Sequence, residues 1–520
     1  MKMTRSIPDG GSGHARDASG SLHAGRFRWA ILTGALALLL VMPLPGFTRE
    51  LVLVAAPVLR TAAPATSAPE AQKPVLDGET RARRSYVIPA FEVVGFIFLL
   101  NQFDRHFVDP KEVYRTNIHT TLKNLKRKHV IDTDPFSTNQ FLHPYQGSLY
   151  YGFARSAGLN YWESLVYTMA GSFTWENYGE TGPGSINDEV ASGIGGTFLG
   201  EPLFRMASLV LESGGGKPGF WQELGAALIS PPTGFNRLVF GNRFDPVFPS
   251  HNPAIFLRLR LGESLTSQVS DQGISSTVQR RERTADISLA YGLPGKPDYS
   301  YARPFDYFHF EFTSASNPDN SFDNIMTRGL LLGRKYELGD AYRGVWGLYG
   351  SYDYISPQIF RVSSTAASLG TTAQWWLSHA VALQGTGLAG VGYGAAGTIA
   401  AKGDRDYHYG VVPQGLLALR LILSDIAMLD LTGREYYISG TGSDNSGGQE
   451  NISRGNVSFT MRVYGRHAIG LQYVVSHRDA YYSGLPDRHQ TVGTVSLAYN
   501  FLSDTRFGAV EWRTFDADTR

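Results

Sequence analysis

The chain has 520 residues, with 47 lysines and arginines against 46 aspartates and glutamates, so its formal net charge is +1. A nearly neutral chain has no global field to hold nucleic acid, which is therefore not expected as a partner. Because the chain has no cysteine, disulfides, thiolate metal ligands, thiol catalysis and a lipid-modified cysteine are excluded. Its 58 glycines, 27 tyrosines and 29 phenylalanines are typical of an aromatic-rich β protein with glycine at its turns.

The N-terminal leader has the features of an export signal. Two arginines precede the apolar run Trp29–Met42, and two prolines follow it. The run is shorter than the ~20 apolar residues that a spanning helix needs, so export is favoured over an inner-membrane anchor. We therefore assign residues 1–56 to an export signal region and the alanine- and proline-rich residues 57–84 to a disordered linker.

The next unit, residues 85–245, is predicted to be helical. It begins with the apolar segment Tyr86–Leu100, in which Pro89 and Glu92 argue against a helix that faces lipid. An ionised glutamate at bilayer depth costs several kcal/mol, so the segment predicts a buried first helix.

Glycine and proline punctuation predicts three further helices, at about residues 146–157, 161–178 and 185–211. In the last of them, Ser192, Gly196 and Gly200 recur every four residues. One face of this helix therefore lacks bulk, and we expect another helix to approach it closely.

The same stretch carries the residues that could perform chemistry, and we take His143, Glu176, Glu180 and Asp188 as candidate catalytic residues. Glu176 and Glu180 are four apart, so a helix that continued through Gly179 would project both from one face. Carboxylates and an imidazole together could form an acid/base pair or a site for a hard metal ion. The sequence does not decide between these or name a metal or another cofactor.

A structural explanation stays open beside the chemical one, in which the carboxylates pair with arginines and cap helices. The further candidate binding residues are Tyr145, Arg155, Ser156, Trp162, Glu163, Trp175, Ser185, Asn187, Glu201 and Arg205. The chain has no G-x-S-x-G elbow, H-E-x-x-H pair, P-loop or dinucleotide glycine fingerprint, so no reaction can be assigned.

The central third resembles a bacterial family of predicted outer-membrane proteins, the domain-of-unknown-function family 3943. The resemblance rests on Arg205 and five motifs in order: HPYQGSLYY (143–151), ARSAGLNYWES (154–164), TWENYGE (174–180), SINDE (185–189) and GGTFLGE (195–201). The resemblance implies an outer-membrane protein but no established activity, so it gives these positions no roles.

Residues 250–502 are predicted to form strands, because polarity alternates with a period of two between glycine, proline, asparagine and aspartate turns. We count about 12 such segments, an even number as in bacterial single-chain barrels. A soluble β-sandwich would alternate as well, but it would rarely keep one face apolar over so many strands. The strand Gly493–Phe501 resembles the terminal assembly signal of outer-membrane barrels, although a tail, residues 503–520, follows it.

The predicted fold is α+β, mainly β: an antiparallel transmembrane barrel of about 12 strands with an N-terminal helical domain at its periplasmic mouth or partly in its lumen. We expect a packed lumen rather than an open pore. The predicted location is the outer membrane of a Gram-negative bacterium. The expected partners are outer-membrane lipid and, during biogenesis, the barrel-assembly machinery.

Three hypotheses for function follow. In the first, the helical domain is a plug or conformational lock that gates a lipid or small solute. In the second, the protein is an envelope enzyme that modifies lipid or lipopolysaccharide with the carboxylate and histidine cluster. In the third, it is a diffusion porin, which requires a water-continuous lumen. Whether the protein is an enzyme is left open by the sequence.

Overall fold

The computed structural model describes residues 83–507 except 133, 216, 272–273, 277–279, 297, 317–321, 357–360, 398–403, 441–447 and 505–506. The predicted export signal, all but the end of the predicted linker and most of the C-terminal tail lie outside the described residues.

Helices and β-strands occupy separate halves of the chain. The helices are α1 (Val87–Phe107), α2 (Ile118–Asn124), α3 (His143–Ser156), α4 (Tyr161–Thr174), α5 (Ile186–Val190), α6 (Gly196–Glu212), α7 (Phe220–Ile229) and α8 (Pro231–Phe240). Three π turns are inserted between them, at Thr138–Leu142, Trp175–Gly179 and Ala191–Gly195. Short 3-10 turns lie at Lys111–Tyr114 and Gly241–Arg243. The three helices predicted in the central stretch are confirmed to within a few residues.

The strands are β1 (Ile255–Asp271), β2 (Ile274–Ser276), β3 (Arg280–Tyr291), β4 (Phe308–Ala315), β5 (Phe322–Leu338), β6 (Tyr342–Ile355), β7 (Arg361–Trp376), β8 (Val381–Gly397), β9 (His408–Leu423), β10 (Ala427–Ile438), β11 (Gly448–Tyr464), β12 (His467–Tyr482) and β13 (Arg488–Leu502). Each strand pairs antiparallel with the next, except that β3 pairs with β1 rather than with β2, and β13 also pairs with β1. Because β2 only extends the hairpin between β1 and β3, twelve strands close the sheet. The predicted antiparallel barrel is confirmed.

Strand register shows which side chains face the lumen. Arg258 on β1 donates to Asp430 on β10 at 2.9 Å, across strands that are not neighbours, so both point inward. Since successive residues alternate in direction, Leu259 points outward, as do its partners Ile287 and Phe501. Outward leucines, valines and aromatic residues of β9–β13 are exposed, including Leu471 at 54%. Apolar residues outside and polar residues inside define a transmembrane barrel.

The remaining part of the outer face is covered by the helical unit. Phe308 and Phe310 on β4 point outward, opposite Gly329 and Thr327, yet Phe308 is 0% exposed. The hydroxyl of Thr327 donates to the carbonyl of Phe198 in α6 at 3.2 Å. Tyr352 on β6 likewise donates from its outward-facing hydroxyl to the carbonyl of Gln140 at 2.5 Å. The helices therefore pack beside the barrel, against the outer faces of β3–β9.

This position corrects the prediction that the helical domain lies at the periplasmic mouth or partly in the lumen. The aromatic residues on the outside of β3–β6 are those a barrel presents to lipid, and here they receive helices instead. The prediction assumed that the helical unit docks against the inside or the mouth of the barrel. An apolar outer face serves equally well, because apolar helices pack on it as lipid does.

The first helix also differs from its prediction. α1 is 21 residues long. Within the described part of the chain, it is a helix long and apolar enough to cross a membrane, and most of its apolar part is not buried. Val93 and Ile97 are buried against the other helices, whereas Val94 is 58% exposed. Pro89 lies in the first turn of the helix, where proline is tolerated, and is buried. The prediction of a buried helix is therefore wrong for one face.

Paired charges and apolar layers fill the lumen. The end of the barrel where β1 begins and β13 ends, here called the terminal end, has short turns apart from the longer connection between β3 and β4. Short turns are typical of the periplasmic end. Inside that end, Phe256, Tyr307, Leu330 and Tyr349 form one buried apolar cluster. Above it lies a cavity of about 200 Å³, where Asp430 also accepts from Arg420 at 2.5 Å. The expectation of a packed lumen thus agrees with the described residues.

The closure between β1 and β13 can be tested in a chain that has no native cysteine. Leu261 and Tyr499 are direct partners across this seam, and paired Cα atoms lie ~4.5–5.5 Å apart, within disulfide range. We expect Leu261→Cys/Tyr499→Cys to form a disulfide on oxidation, seen as a mobility shift on non-reducing gels of folded protein.

The matched control is Leu261→Cys/Val495→Cys. Val495 pairs with Leu265, so its Cα lies ~13 Å along the strand from the partner of Leu261. Equal cross-linking of both variants, or of neither, would contradict the register.

Candidate functional site

Two helices pack closely through glycines, and this contact brings the central residues together. Gly147 in α3 and Gly196 at the start of α6 face each other, and a Cβ on Gly196 would lie 2.6 Å from the Gly147 Cα. A Cβ on Gly200 would lie 2.8 Å from the Tyr151 ring. The close approach predicted along Ser192, Gly196 and Gly200 is confirmed. It places the first residue of α3, His143, beside Ser192.

Three π turns surround the same point. The first ends immediately before His143, the second contains Glu176, and the third contains Ser192. A π turn adds one residue to a helical turn and weakens its hydrogen bonding, so it is retained most often at functional sites. Three in one small region indicate that side-chain placement, rather than helix regularity, is favoured here.

His143, Glu176 and Asp188 converge, with one nitrogen or oxygen atom of each lying within 4.8 Å of the others. Their side chains are buried, at 5%, 4% and 2% exposure. The imidazole Nε2 lies 4.0 Å from Asp188 Oδ1, and Nδ1 lies 3.2 Å from Ser192 Oγ. The backbone N–H of Ser185 donates to Glu176 Oε2 at 2.9 Å, at the N-terminus of α5. We call these three residues the HED cluster.

An amide, one further carboxylate and a tyrosine hydroxyl extend the cluster toward the barrel. Asn187 donates from Nδ2 to Asp188 Oδ1 at 3.0 Å, to Asp132 Oδ1 at 3.2 Å and to the hydroxyl of Tyr409 at 2.8 Å. Asn187 also accepts from Ser185 Oγ at 2.7 Å, and Ser185 caps α5 by accepting from Asp188 N. Tyr409 comes from the outer face of β9, so this network joins the helices to the barrel.

Glu180 lies near Glu176 but is not one of the three residues of the cluster. The helix ends at Gly179, and Glu180 has extended backbone, with φ −127° and ψ 155°. The two glutamates therefore do not project from one helix face, and the cluster contains Glu176 without Glu180. The physical reason is the π turn Trp175–Gly179, in which a Cβ on Gly179 would lie 2.6 Å from the Trp175 ring. The four-residue spacing places two side chains on one face only in a regular α-helix, and the helix ends at Gly179.

A second buried group is a ladder of alternating charges. Glu201 accepts from Arg155 Nε at 2.9 Å, from Arg205 Nε at 2.7 Å and from the Tyr151 hydroxyl at 2.7 Å. Arg205 continues to Asp306, donating from Nη1 at 3.0 Å. Here the carboxylate pairs with arginines, as the structural explanation expected, and the ladder runs from α3 through α6 into the barrel.

The other candidate binding residues are dispersed. Ser156 accepts from Asn236 at 2.7 Å, and Glu163 caps α4 through a reciprocal pair of bonds with Asn160. Trp175 is core, Tyr145 packs near Phe141 with ring centroids 6.2 Å apart, and Trp162 is 45% exposed. None of these side chains belongs to the HED cluster.

Asp132, Asn139 and Tyr409 were not among the candidates predicted from the sequence. Asp132 lies in an extended segment held to α5 by bonds from Ile186 N to Val130 O and from Val130 N to Gly184 O, both 2.9 Å. Asn139 belongs to the first π turn and donates to Tyr407 at 3.0 Å and Tyr409 at 3.2 Å. An Asp-rich turn before a helix was visible, but a tyrosine some 220 residues away in the chain from Asn187 carried no signal.

The fold defines the class of protein: a transmembrane β-barrel of the outer-membrane type that carries a helical unit. Residues 128–232 match the family model "Domain of unknown function (DUF3943)", which confirms the resemblance read from the motifs. The matched segment contains the HED cluster and the helical part of the ladder. No curated protein sequence matches the chain significantly.

Solved structures with some likeness to the chain are outer-membrane barrels. An outer membrane channel from Pseudomonas putida F1 is 11% identical, with 48% of this chain and 94% of that chain covered and a TM-score of 0.26. The NanC porin is 9% identical, with 47% and 98% covered and a TM-score of 0.24. The channel DcaP of Acinetobacter baumannii is 8% identical, with 48% and 96% covered and a TM-score of 0.21. The assignment of the barrel rests on register and side-chain direction, not on these scores.

The ladder predicts a large loss of stability when its central charge is removed. Glu201→Gln leaves Arg155 and Arg205 buried without their shared carboxylate, which costs ~3–5 kcal/mol. We expect the helical unit to become sensitive to trypsin at temperatures where the wild-type protein resists, while the barrel keeps its heat-modifiable gel migration.

Glu163→Gln is the matched control, because glutamine keeps the capping bond at a partly exposed position and loses only an ion pair with Arg84, a change worth less than about 1 kcal/mol. If Glu201→Gln is as resistant as Glu163→Gln, the ladder does not hold the helices to the barrel.

Proposed function

We propose that the protein is an outer-membrane barrel whose periplasmic end is held closed by the helical unit, which acts as a conformational lock on passage of a small polar solute. The observation that carries the proposal is the connection between β3 and β4, residues 292–307, here called the closing loop. Its two sides contact the lumen and the helical unit at once.

The inner side of the closing loop belongs to the apolar layer of the lumen. Leu293 and Tyr307 are 5% and 2% exposed and lie in one cluster with Tyr349 and Trp376. Gly295 also reaches an inward-facing side chain, since a Cβ there would lie 2.8 Å from Gln374 Nε2. Outward movement of the loop would therefore remove part of the layer that bounds the cavity.

The outer side of the closing loop is fastened to the helices. Arg205 donates to Asp306 Oδ1 at 3.0 Å and to the Pro304 carbonyl at 2.7 Å. The Phe305 ring stacks on Tyr161 with centroids 5.8 Å apart. Phe305 has φ 63°, a left-handed conformation that is strained for a bulky residue and is found where packing enforces it. The helical unit thus supplies contacts that hold the loop in a strained conformation.

The cavity above the layer fits a small polar solute. Its lining carries charges of both signs: Arg258, Arg260, Arg328, Arg420, Arg434 and Arg454, with Glu282, Asp286, Glu311, Asp323 and Asp430. A cavity of about 200 Å³ is smaller than ~300–1,000 Å³ ligand pockets. A permanently open diffusion porin is not favoured, because the described residues close the terminal end with buried aromatic side chains.

We further propose that the helical unit lies in the bilayer beside the barrel, with outer-membrane lipid as its partner. Val87, Phe91, Val94 and Phe98 form an exposed stripe on α1. A matching exposed stripe on α4 consists of Trp162, Val166, Met169 and Phe173. Both stripes have the spacing of one helix face, and a 21-residue helix spans ~30 Å, the thickness of the hydrocarbon core. An apolar surface of this kind in water would be an aggregation site.

The barrel-assembly machinery remains a proposed partner during biogenesis. Its support is the position of Gly493–Phe501 in β13, the strand that closes the barrel on β1. β13 must stay unpaired on one edge until closure, and such an edge is a template for another strand.

An envelope enzyme is the second candidate, favoured by the convergence of the HED cluster. Its three side chains are at most 5% exposed, so a lipid head group would reach them only after helix movement. The lock needs no such movement in its closed state, and it is the function that the geometry supports better.

The lock predicts a gain of conductance when Asp306 loses its charge. Asp306→Asn weakens the bonds from Arg205 and from Arg303 N, the latter 2.7 Å long, and bonds to charged groups contribute ~1.5–3 kcal/mol each. In planar bilayers we expect the wild-type protein to be almost silent and the variant to show at least about a tenfold higher open fraction.

Asp425→Asn is the matched control, because Asp425 pairs with Arg462 in a turn at the same end of the barrel without contacting the helices. Steady conductance of the wild-type protein, or equal silence of both variants, would contradict the lock.

The membrane position of the helices predicts a difference in labelling. In protein reconstituted into lipid bilayers, Val94→Cys should react slowly with a charged, water-soluble maleimide, because lipid surrounds that face of α1. Tyr464→Cys, at a barrel turn where Tyr464 is 80% exposed, should react fast. Similar rates at the two positions would show that α1 faces water.

A further inference from the structure

We propose that the HED cluster binds a divalent transition-metal ion, such as Zn²⁺ or Mn²⁺, through His143, Glu176 and Asp188. The proposal goes beyond the lock and does not depend on it, because the cluster lies in the helical unit alone. It joins three separate elements, since His143 begins α3, Glu176 lies in the π turn after α4, and Asp188 lies in α5.

The first argument is charge. Glu176 and Asp188 are buried carboxylates close to each other, and neither forms an ion pair with a lysine or arginine of the described chain. Two ionised carboxylates taken out of water cost far more than one hydrogen bond returns. A dication beside a neutral imidazole would balance both charges. The buried carboxylate of Glu201, in the same helical unit, is instead balanced by two arginines, Arg155 and Arg205.

The second argument is that a hydrogen bond fixes the orientation of each of the three side chains. Ser192 Oγ lies 3.2 Å from His143 Nδ1, Ser185 N donates to Glu176 Oε2 at 2.9 Å, and Asn187 Nδ2 donates to Asp188 Oδ1 at 3.0 Å. When Nδ1 donates to Ser192, the other ring nitrogen, Nε2, carries the lone pair that faces Asp188. Hydrogen bonds that fix the tautomer and the carboxylate orientation are the usual outer shell of protein metal sites.

The third argument is the backbone. Each of the three π turns lies at a residue of the cluster or at its hydrogen-bond partner. His143 directly follows the first turn, Glu176 lies in the second, and Ser192, the partner of His143, lies in the third. Such insertions lower helix stability and are retained where they position functional side chains. Ordinary core packing would gain nothing from them.

The donor set selects the class of ion. One imidazole nitrogen and two carboxylate oxygens suit Zn²⁺, Mn²⁺ or Fe²⁺, whereas Ca²⁺ and Mg²⁺ prefer oxygen ligands alone. The chain has no cysteine, so no thiolate competes for the ion. One nitrogen or oxygen atom of each side chain lies within 4.8 Å of the others, whereas neighbouring ligands of a tetrahedral ion at bond lengths of ~2.0–2.1 Å lie ~3.4 Å apart. Binding would therefore draw the three side chains together by about 1 Å.

The test measures metal content and thermal stability of the full-length protein, purified folded in detergent and stripped with chelator. After addition of Zn²⁺ or Mn²⁺ and removal of free ion, we expect one equivalent per chain in the wild-type protein and a higher unfolding midpoint of the helical unit. Asp188→Asn and Glu176→Gln should lose the ion and the shift in midpoint. Ser192→Ala should bind it about 10–100-fold more weakly.

Glu189→Gln is the matched control, because Glu189 neighbours Asp188 in α5 but pairs with His129 at 3.2 Å outside the cluster. It should bind like the wild-type protein. Heat-modifiable gel migration identifies variants that fail to fold, and Ser192→Ala keeps both carboxylates if the others fail. No bound ion and no change in midpoint for the wild-type protein would overturn the proposal, and so would equal binding by the wild-type protein and the folded Asp188→Asn and Ser192→Ala variants.

Discussion

Glu201 holds the two halves of this protein together. Its carboxylate is 0% exposed and lies between Arg155 and Arg205, and Arg205 in turn binds Asp306 of the barrel. Each of these charges costs several kcal/mol to bury alone, and the cost is offset only when all four are in place. The four signs alternate, and Arg303 of the closing loop adds a further positive charge beside Asp306. Arg205 therefore meets both of its carboxylates only in the assembled state. The helical unit and the barrel are therefore separate in sequence but stabilise each other in the folded protein.

A polar ladder is needed because the rest of the interface is apolar on both sides. The outer residues of β3–β9 would face lipid in a bare barrel, and lipid tails are as apolar as the helices that replace them. Exchange of one apolar neighbour for another gives little driving force, so association in a membrane depends on close packing and on hydrogen bonds. The interface supplies both, through the bond from Tyr352 to Gln140, the bond from Thr327 to Phe198 and the ion pair at Asp306.

The barrel could be predicted from the sequence because its signal is local. Phe308, Phe310 and Phe312 alternate just as Ile469, Leu471 and Tyr473 do, and both sets point outward. For the same reason, sequence could not show that the first set meets helices and the second does not. Chemistry-bearing residues were visible one at a time, but their meeting point depends on tertiary contacts such as Gly147 against Gly196. A shared helix face for Glu176 and Glu180 was conditional on a helix that continued through Gly179, and the π turn ends the helix there.

The HED cluster and the ladder share one continuous helical segment. Helical backbone runs from Ile186 to Glu212, through the π turn that carries Ser192 and on to Glu201 and Arg205. Nine residues of helix between Ser192 and Glu201 span ~13 Å. The segment that carries Asp188 near one end therefore carries, further along, the arginine that bonds to the closing loop through Asp306 and Pro304. The two buried polar groups are separate, but one helical segment positions residues of both.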